Sequence, residues 1–432
     1  MEAAVERGVA DSRTGPGRTS RRPLVAYFAD VAPYPRPLYG AQIRVEHLIR
    51  ELLREFDVAL VCQSSVSEAE LASRWELGSR LVRIVTAPRR KLPESSYPEW
   101  GSLTNSIRAA LRIAVPAVRP AFHEVVWSDE LVEKARELFS ELPIEAVWAS
   151  RTWMAEIARQ AGGRRIHVDV DDFEGHLMLE RVARNPFYRR KPLHWMQAVH
   201  LDRYERHLTR RFQSVSVCKS EDLARLSRGA RARMCVVPNG IDVPSGALPQ
   251  AREPYTMIFV GALWYEPNAA GLRWLVSDVL PQVRQHLPEA TLIVAGRGPL
   301  SEDLPELLRG PGIEVHESAA SLDALYARAS LSVAPLLIGG GTSIKVLESL
   351  AHGVPTVATP VAVRGLGLEA GRHIAVAASA EAFANACAEL LRNPPAAHEM
   401  AVAGRTEVAR RFTWEATGSA ARDAVRTLLR DS

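Results

Sequence analysis

Between Pro23 and Val237, short apolar runs alternate with segments of helical periodicity, and after a turn-rich break the same alternation restarts at Tyr255. This pattern constrains the fold more than any other feature. Apolar runs of four to eight residues bounded by turns read as strands buried on both faces, and helices between them force successive strands to run parallel. In the first stretch the runs are Pro23–Ala29, Asp57–Cys62, Leu81–Val85, Ala146–Trp148, Arg165–Val170, Ser214–Cys218 and Met234–Val237. In the second they are Tyr255–Val260, Thr291–Ala295, Ile313–His316, Leu331–Ala334 and Thr356–Ala358. Ile43, Val45, Leu48, Ile49, Leu52 and Leu53 recur at helical spacing after the first run, and Leu272, Leu275, Val276, Val279, Leu280 and Val283 predict a helix over 270–287. The break, Pro238–Pro249, is dense in Pro and Gly, as a linker is. The expectation is an α/β chain of two doubly wound parallel sheets. Ligands of such sheets bind beyond the strand C-termini, so two facing domains hold a ligand in the cleft between them.

Composition limits the alternatives. The chain has 432 residues, 47% hydrophobic and 24% charged, enough to bury a core in each of two domains. No apolar run approaches the roughly 18–20 residues that span a bilayer. Residues 1–22 carry Arg, Gly, Ser and Thr without an apolar core, which reads as a disordered tail rather than a secretory signal. Cys62, Cys218, Cys235 and Cys387 are far apart with no C-x-x-C pair, so neither a zinc site nor a redox dithiol is expected, and the cytoplasm is the expected location. Met1–Val243 holds 38 Lys and Arg against 31 Asp and Glu, a balance of +7, whereas the remainder is −3. That asymmetry leaves contact with an anionic membrane face open. The interspersed charges, without a zinc finger or basic-aromatic repeat, argue against nucleic acid.

The most informative stretch runs from Ala334 to Pro355: strand, Gly339-Gly340-Gly341-Thr342-Ser343, helix, then Gly353-Val354-Pro355. Glycines let the backbone approach a ligand closely. Thr342 or Ser343 is expected to cap the helix, whose first N–H groups form an anion site. Ile344, Leu347 and Ala351 are expected to face the core, and Lys345, Glu348 and His352 the opposite side. A cation beside an acceptor-only carboxylate suits a ligand with both phosphate and hydroxyls. The pair also fits an ordinary surface i,i+3 interaction. The loop lacks the Gly-Lys-Ser/Thr ending of a P-loop.

Val237-Pro-Asn-Gly-Ile-Asp242, Phe259-Val-Gly-Ala262, Ala295-Gly-Arg-Gly-Pro299 and the Gly-rich Lys/Glu helix, in that order, resemble the signatures of retaining glycosyltransferases of the GT-B fold, in the large family 4. The resemblance implies an acceptor-side Rossmann-like domain over 23–243, completed by a returning C-terminal helix over 413–432, and a donor-binding domain over 250–412. It implies a nucleotide-diphosphate-sugar as substrate, with no cofactor and no metal. Glu348 would hold ribose hydroxyls, and Lys345 the diphosphate. Gly40 would approach the same diphosphate from the other domain, and Arg297 lies near the base. Gly339, Gly340, Gly341 and Thr342 complete the donor loop. Gly340 stands where the family's E-x7-E motif has its first Glu, as in the Gly-Gly-Gly-Thr-x-x-Lys branch. Trp264-Tyr265-Glu266-Pro267-Asn268 replaces the family's usual Arg and Lys.

Asp169-Val170-Asp171-Asp172 ends a strand of the first domain. Asp171 and Asp172 could stabilise positive charge at a reacting carbon, accept a proton from an acceptor, or hold a metal; Asp172 could instead cap a helix. Tyr97–Trp100 and Asn185–Trp195 mix aromatic and basic residues that suit sugars or a lipid surface, leaving the acceptor open among glycan, lipid-linked and small molecules. A non-catalytic nucleotide-sugar-binding scaffold is the alternative. A dinucleotide-dependent oxidoreductase has little support, since Gly296-x-Gly298 is followed by Ser301 where that fingerprint needs Gly.

Overall fold

The structure, a computed structural model, describes residues 21–35, 40–89, 120, 122–123, 126–184, 191–227, 233–246, 252–296, 304–317, 321–339 and 342–430. Residues 1–20, Tyr97–Trp100 and residues 185–190, singled out above, lie outside it.

Two parallel sheets form the frame. The first comprises β1 (Leu24–Ala29), β2 (Asp57–Gln63), β3 (Arg83–Ala87), β4 (Ala146–Ser150), β5 (Ile166–Val170), β6 (Ser214–Val217) and β7 (Arg233–Val236), in the order β3-β2-β1-β4-β5-β6-β7. The second comprises β8 (Glu253–Val260), β9 (Thr291–Gly296), β10 (Ile313–Glu317), β11 (Ala329–Ala334), β12 (Thr356–Ala358) and β13 (Ala375–Val376), ordered β10-β9-β8-β11-β12-β13. All pairings are parallel, as continuous apolar runs require. Every apolar run identified above forms a strand, with ends shifted by up to two residues. The two-residue β13 is too short to leave a periodic signal.

Strand alternation builds a core on both faces of each sheet. In the first, Ala26, Phe28, Val147 and Val168 face Leu131, Leu138 and Ile157. Val25, Tyr27, Val58 and Leu60 face the other way, toward Leu48, Ile49 and Leu52. In the second, Met257, Phe259, Val294 and Val333 pack against Leu272, Leu275 and Val283, while Ile258, Val260 and Ile293 pack against Leu325 and Tyr326.

The segment expected as one helix over 270–287 begins earlier and is not uniform. It is α-helical over Glu266–Trp274, widens to a π turn over Leu275–Val279, and resumes over Leu280–His286. Pro267 in the first turn suits a helix start, because its missing N–H has no partner to lose there.

The last helix, Trp414–Arg430, returns to the first domain. The Trp414 ring stacks on His47 with centroids 4.2 Å apart, and Ala421, Val425 and Leu428 enter the first-domain core. Arg426 grips Glu55 with two hydrogen bonds of 2.7 Å, and Arg422 pairs with buried Glu51. Among the described residues, no helix is long and apolar enough to cross a membrane.

Candidate functional site

In a parallel sheet all strand C-termini open on one edge, and here those edges face each other across a cavity of about 580 Å³. Of the residues read from the sequence, Gly40, Asp171, Asp172, Gly339, Thr342, Lys345 and Glu348 all line it. Arg297, Gly340 and Gly341 lie outside the described residues.

The wall formed by the second domain is built on the Ile344–Ala351 helix. Ser343 occupies its N-cap position, yet neither Ser343 nor Thr342 makes a capping hydrogen bond, contrary to the sequence expectation. The hydroxyls of both are buried without a partner at the cavity wall. The first N–H groups of a helix also lack intrahelical acceptors, so donors accumulate at this point. Ile344, expected in the core, instead lines the cavity, because a side chain in the first turn leans back over the preceding loop. A Cβ on Gly40 would come within 3.3 Å of Ile344 Cδ1, so glycine allows the two domains to meet closely here.

Lys345 Nζ donates to Asn268 Oδ1 and sits 5.0 Å from the centre of the Phe259 ring. Dehydration of the ammonium pushes its pKa down to about 7, against the opposing pull of Glu348. Burial raises the Glu348 pKa, and its Oε2 accepts from the Tyr326 hydroxyl at 3.2 Å. His352, predicted to share this face, does not reach the cavity. It stacks on Tyr326 at 4.4 Å, donates from Nδ1 to the Glu348 carbonyl (2.8 Å), and meets Asp323 through Nε2 (2.8 Å). It braces the tyrosine that orients Glu348.

In the first domain the structure separates three aspartates that look alike in sequence. Asp169 is buried and structural. It receives Arg44 at 3.0 and 2.8 Å and Ser216 Oγ at 2.8 Å. Arg44 extends to the Val237 carbonyl (2.9 Å) and Asn239 Oδ1 (2.7 Å), pinning the start of the linker. Asp171 receives Cys218 Sγ (3.0 Å), Asn239 Nδ2 (3.3 Å) and Arg151 Nη2 (3.3 Å). Burial pushes its pKa up, but Arg151 and Arg44 outweigh burial and hold it below the usual carboxylate value. Asp172 lacks such partners. Burial and the neighbouring Asp171 charge push it up to about 7, and its Oδ1 is buried with no hydrogen bond. Nor does Asp172 cap the following Glu174–Arg184 helix, because Glu205 accepts from the N–H groups of Glu174 and Gly175 at 3.1 and 3.0 Å. No group of three or more His, Cys, Asp or Glu is arranged to hold a metal among the described residues.

Several lining residues were not singled out by sequence. Arg151 has φ +78°, an uncommon conformation for a residue with a side chain, and reaches Asp30, Asp171 and Glu174 at 3.8, 3.3 and 3.5 Å. No local pattern marks it. Asn268, Trp264 and Tyr265 lie within the stretch noted above as a departure. Only the fold shows that Asn268 positions Lys345 and that the other two line the cleft.

Residues 254–393 match the family described as Glycosyl transferases group 1. A phosphatidyl-myo-inositol mannosyltransferase of Mycobacterium leprae is 30% identical over 42% of this chain and 50% of its own length. A GDP-mannose-dependent alpha-(1-6)-phosphatidylinositol monomannoside mannosyltransferase of Mycolicibacterium smegmatis is 26% identical over 74% of this chain and 87% of its own. An uncharacterized protein from the cps region of Klebsiella pneumoniae is 28% identical over 30% of this chain and 35% of its own, so the chain spans half or less of two of these three curated relatives. Among solved structures, sucrose-phosphate synthase of Thermosynechococcus elongatus superposes with a TM-score of 0.68 at 15% identity, over 95% of this chain and all of that one. Anabaena HepE in complex with UDP and glucose gives 0.61 at 14% identity, over 94% and 99%. The fold is therefore GT-B, and the match of its second domain to group 1 supports a GT-B glycosyltransferase.

Proposed function

We propose that this chain transfers a sugar from a nucleotide-diphosphate-sugar to an acceptor hydroxyl with retention of configuration, within family 4, in the synthesis of a polysaccharide, a glycolipid or a glycosylated metabolite. The observation that carries this reading is the convergence of Lys345, the unpartnered Thr342 and Ser343 hydroxyls and a helix N-terminus at one cavity wall. Such a cluster favours a group that gains negative charge as it leaves. In this reading Glu348, hydrogen-bonded by Tyr326, accepts from ribose hydroxyls. In the reaction the bond from the anomeric carbon to the diphosphate oxygen breaks, its electron pair leaving with the diphosphate beside Lys345. The acceptor oxygen bonds to that carbon from the same face and gives up its proton. Asp172, with its unpaired Oδ1, takes that proton, and Asp171 stays ionised against Arg151. The nucleotide-sugar is a substrate, so the reading calls for no cofactor or metal. The two mannosyltransferase relatives are named for phosphatidylinositol compounds, and a lipid-linked acceptor reached from the cytoplasmic membrane face is one class that suits this reading.

A thermal-shift panel of UDP, GDP, ADP and dTDP tests the donor site. A nucleotide at 100 times its Kd stabilises the native state by about 2.7 kcal/mol. Lys345→Ala is expected to abolish that shift and Glu348→Gln to reduce it. If both variants bind like the parent, the donor site lies elsewhere. Turnover of a nucleotide-sugar by the purified protein separates an enzyme from a binding scaffold.

A further inference from the structure

A diphosphate carries at least one negative charge on each phosphate, and the cations available to it in the cleft can be enumerated. Among the described residues, three basic side chains line the cavity: Lys345, Arg151 and Arg181. Lys345 is one charge on the second domain. Arg151 is shared among Asp30, Asp171 and Glu174 as ion pairs, with its Nη1 left without a hydrogen bond. Arg181 differs from both. It stands on the Glu174–Arg184 helix of the first domain and forms no ion pair among the described residues. Its neighbours on that helix are otherwise engaged, Glu180 with His176 (3.4 Å) and with Arg364 of the second domain (3.6 Å). Arg181 interacts across the cleft with the phenol of Tyr265, on which Asp172 and Glu174 also act. The Tyr265 carbonyl in turn accepts from Asn268 N (2.8 Å), and the Asn268 side chain receives Lys345 Nζ. Arg181 and Lys345 are thus connected through one short segment, Tyr265–Asn268, from opposite sides of the cavity.

Resting on the donor reading above, we propose that Arg181 is a second diphosphate-binding residue, supplied by the first domain, and that Tyr265 holds its guanidinium toward the donor. A guanidinium presents paired donors to phosphate oxygens in a fixed fork, whereas an ammonium acts as a point charge. Lys345 and Arg181 together hold both phosphates, and the bound donor bridges the two domains. The Glu174–Arg184 helix, which already meets the second domain through Glu180 and Arg364, is held more tightly against it when the nucleotide is bound.

The test compares UDP, GDP and ADP with their monophosphates by calorimetry, on the parent, Arg181→Ala, Arg181→Lys and Tyr265→Phe. Arg181→Ala is expected to weaken the preferred diphosphate by about tenfold or more, with the monophosphate changed by less than about twofold. Arg181→Lys should recover part of that loss, and Tyr265→Phe should lose part of it. Hydrogen exchange over 174–183 should slow on diphosphate binding in the parent and not in Arg181→Ala. An unchanged ratio of diphosphate to monophosphate affinity overturns the inference, whether neither ligand is weakened or both are weakened equally, because only the β-phosphate distinguishes them. If the parent binds no diphosphate, the donor reading itself fails. Should Arg181→Ala not fold, Tyr265→Phe and Arg181→Lys carry the comparison.

Discussion

At the scale of the residue, folding moves two side chains of the cleft toward the same pH from opposite directions. Dehydration lowers Lys345 from 10.5 to about 7, so between those values the unfolded chain holds a proton that the folded chain has released. From this group alone, stability rises as pH increases from about 7 to 10.5. Asp172 is raised from 3.8 to about 7, so its contribution is fully present below 3.8 and is lost as pH rises through about 7. A bound diphosphate returns the missing counter-charge to Lys345. Binding of the preferred nucleoside diphosphate at pH 8 is therefore expected to take up about one proton, and at pH 6 almost none. Calorimetry in two buffers of different ionisation heat measures this, and equal uptake at both values would remove Lys345 from the phosphate site. The sequence marked Lys345 and Glu348 correctly as neighbours on one helix face, because helical spacing is local. It could not show that the ammonium is dehydrated, since Phe259 arrives from a distant strand and Asn268 from a distant helix.

At the scale of the element, the Ile344–Ala351 helix and the Asp129–Glu141 helix both begin after a serine, with different consequences. Ser128 Oγ accepts from Leu131 N at 3.2 Å, a true cap. Ser343 makes no such bond. Ser128→Ala is expected to cost about 1 kcal/mol of stability without altering nucleotide binding. Ser343→Ala should leave stability within about 0.5 kcal/mol of the parent and weaken the nucleotide. Denaturant midpoints and calorimetry distinguish the two, and a stability loss at Ser343 equal to that at Ser128 would return it to a structural role. A serine before a helix does not by itself decide capping, because capping depends on where the hydroxyl turns and that is set by what faces it. The acidic run after β5 teaches the same lesson. Only the partners Arg44, Arg151 and Glu205 separate a structural Asp169 from a paired Asp171 and an unpaired Asp172.

At the scale of the whole molecule, the returning helix makes the first domain depend on the chain's last residues. Trp414 is only 7% exposed and lies against both His47 and Gly240. Trp414→Ala is expected to destabilise the protein by about 3 kcal/mol, read as a lower denaturation midpoint. A change below about 1 kcal/mol would show that the helix is only loosely docked. The two sheets and their parallel order were determined by the sequence itself, because strand and helix periodicities are properties of a few consecutive residues. So was the helix that follows the glycine-rich loop. The cleft was expected from the sequence, but much of its lining belongs to the tertiary structure alone. Which aspartate is left without a hydrogen bond at Oδ1, which cleft arginine forms no ion pair among the described residues and how strongly Lys345 is dehydrated depend on groups far apart in the chain. Burial and charge act through distances in space that no local spacing encodes.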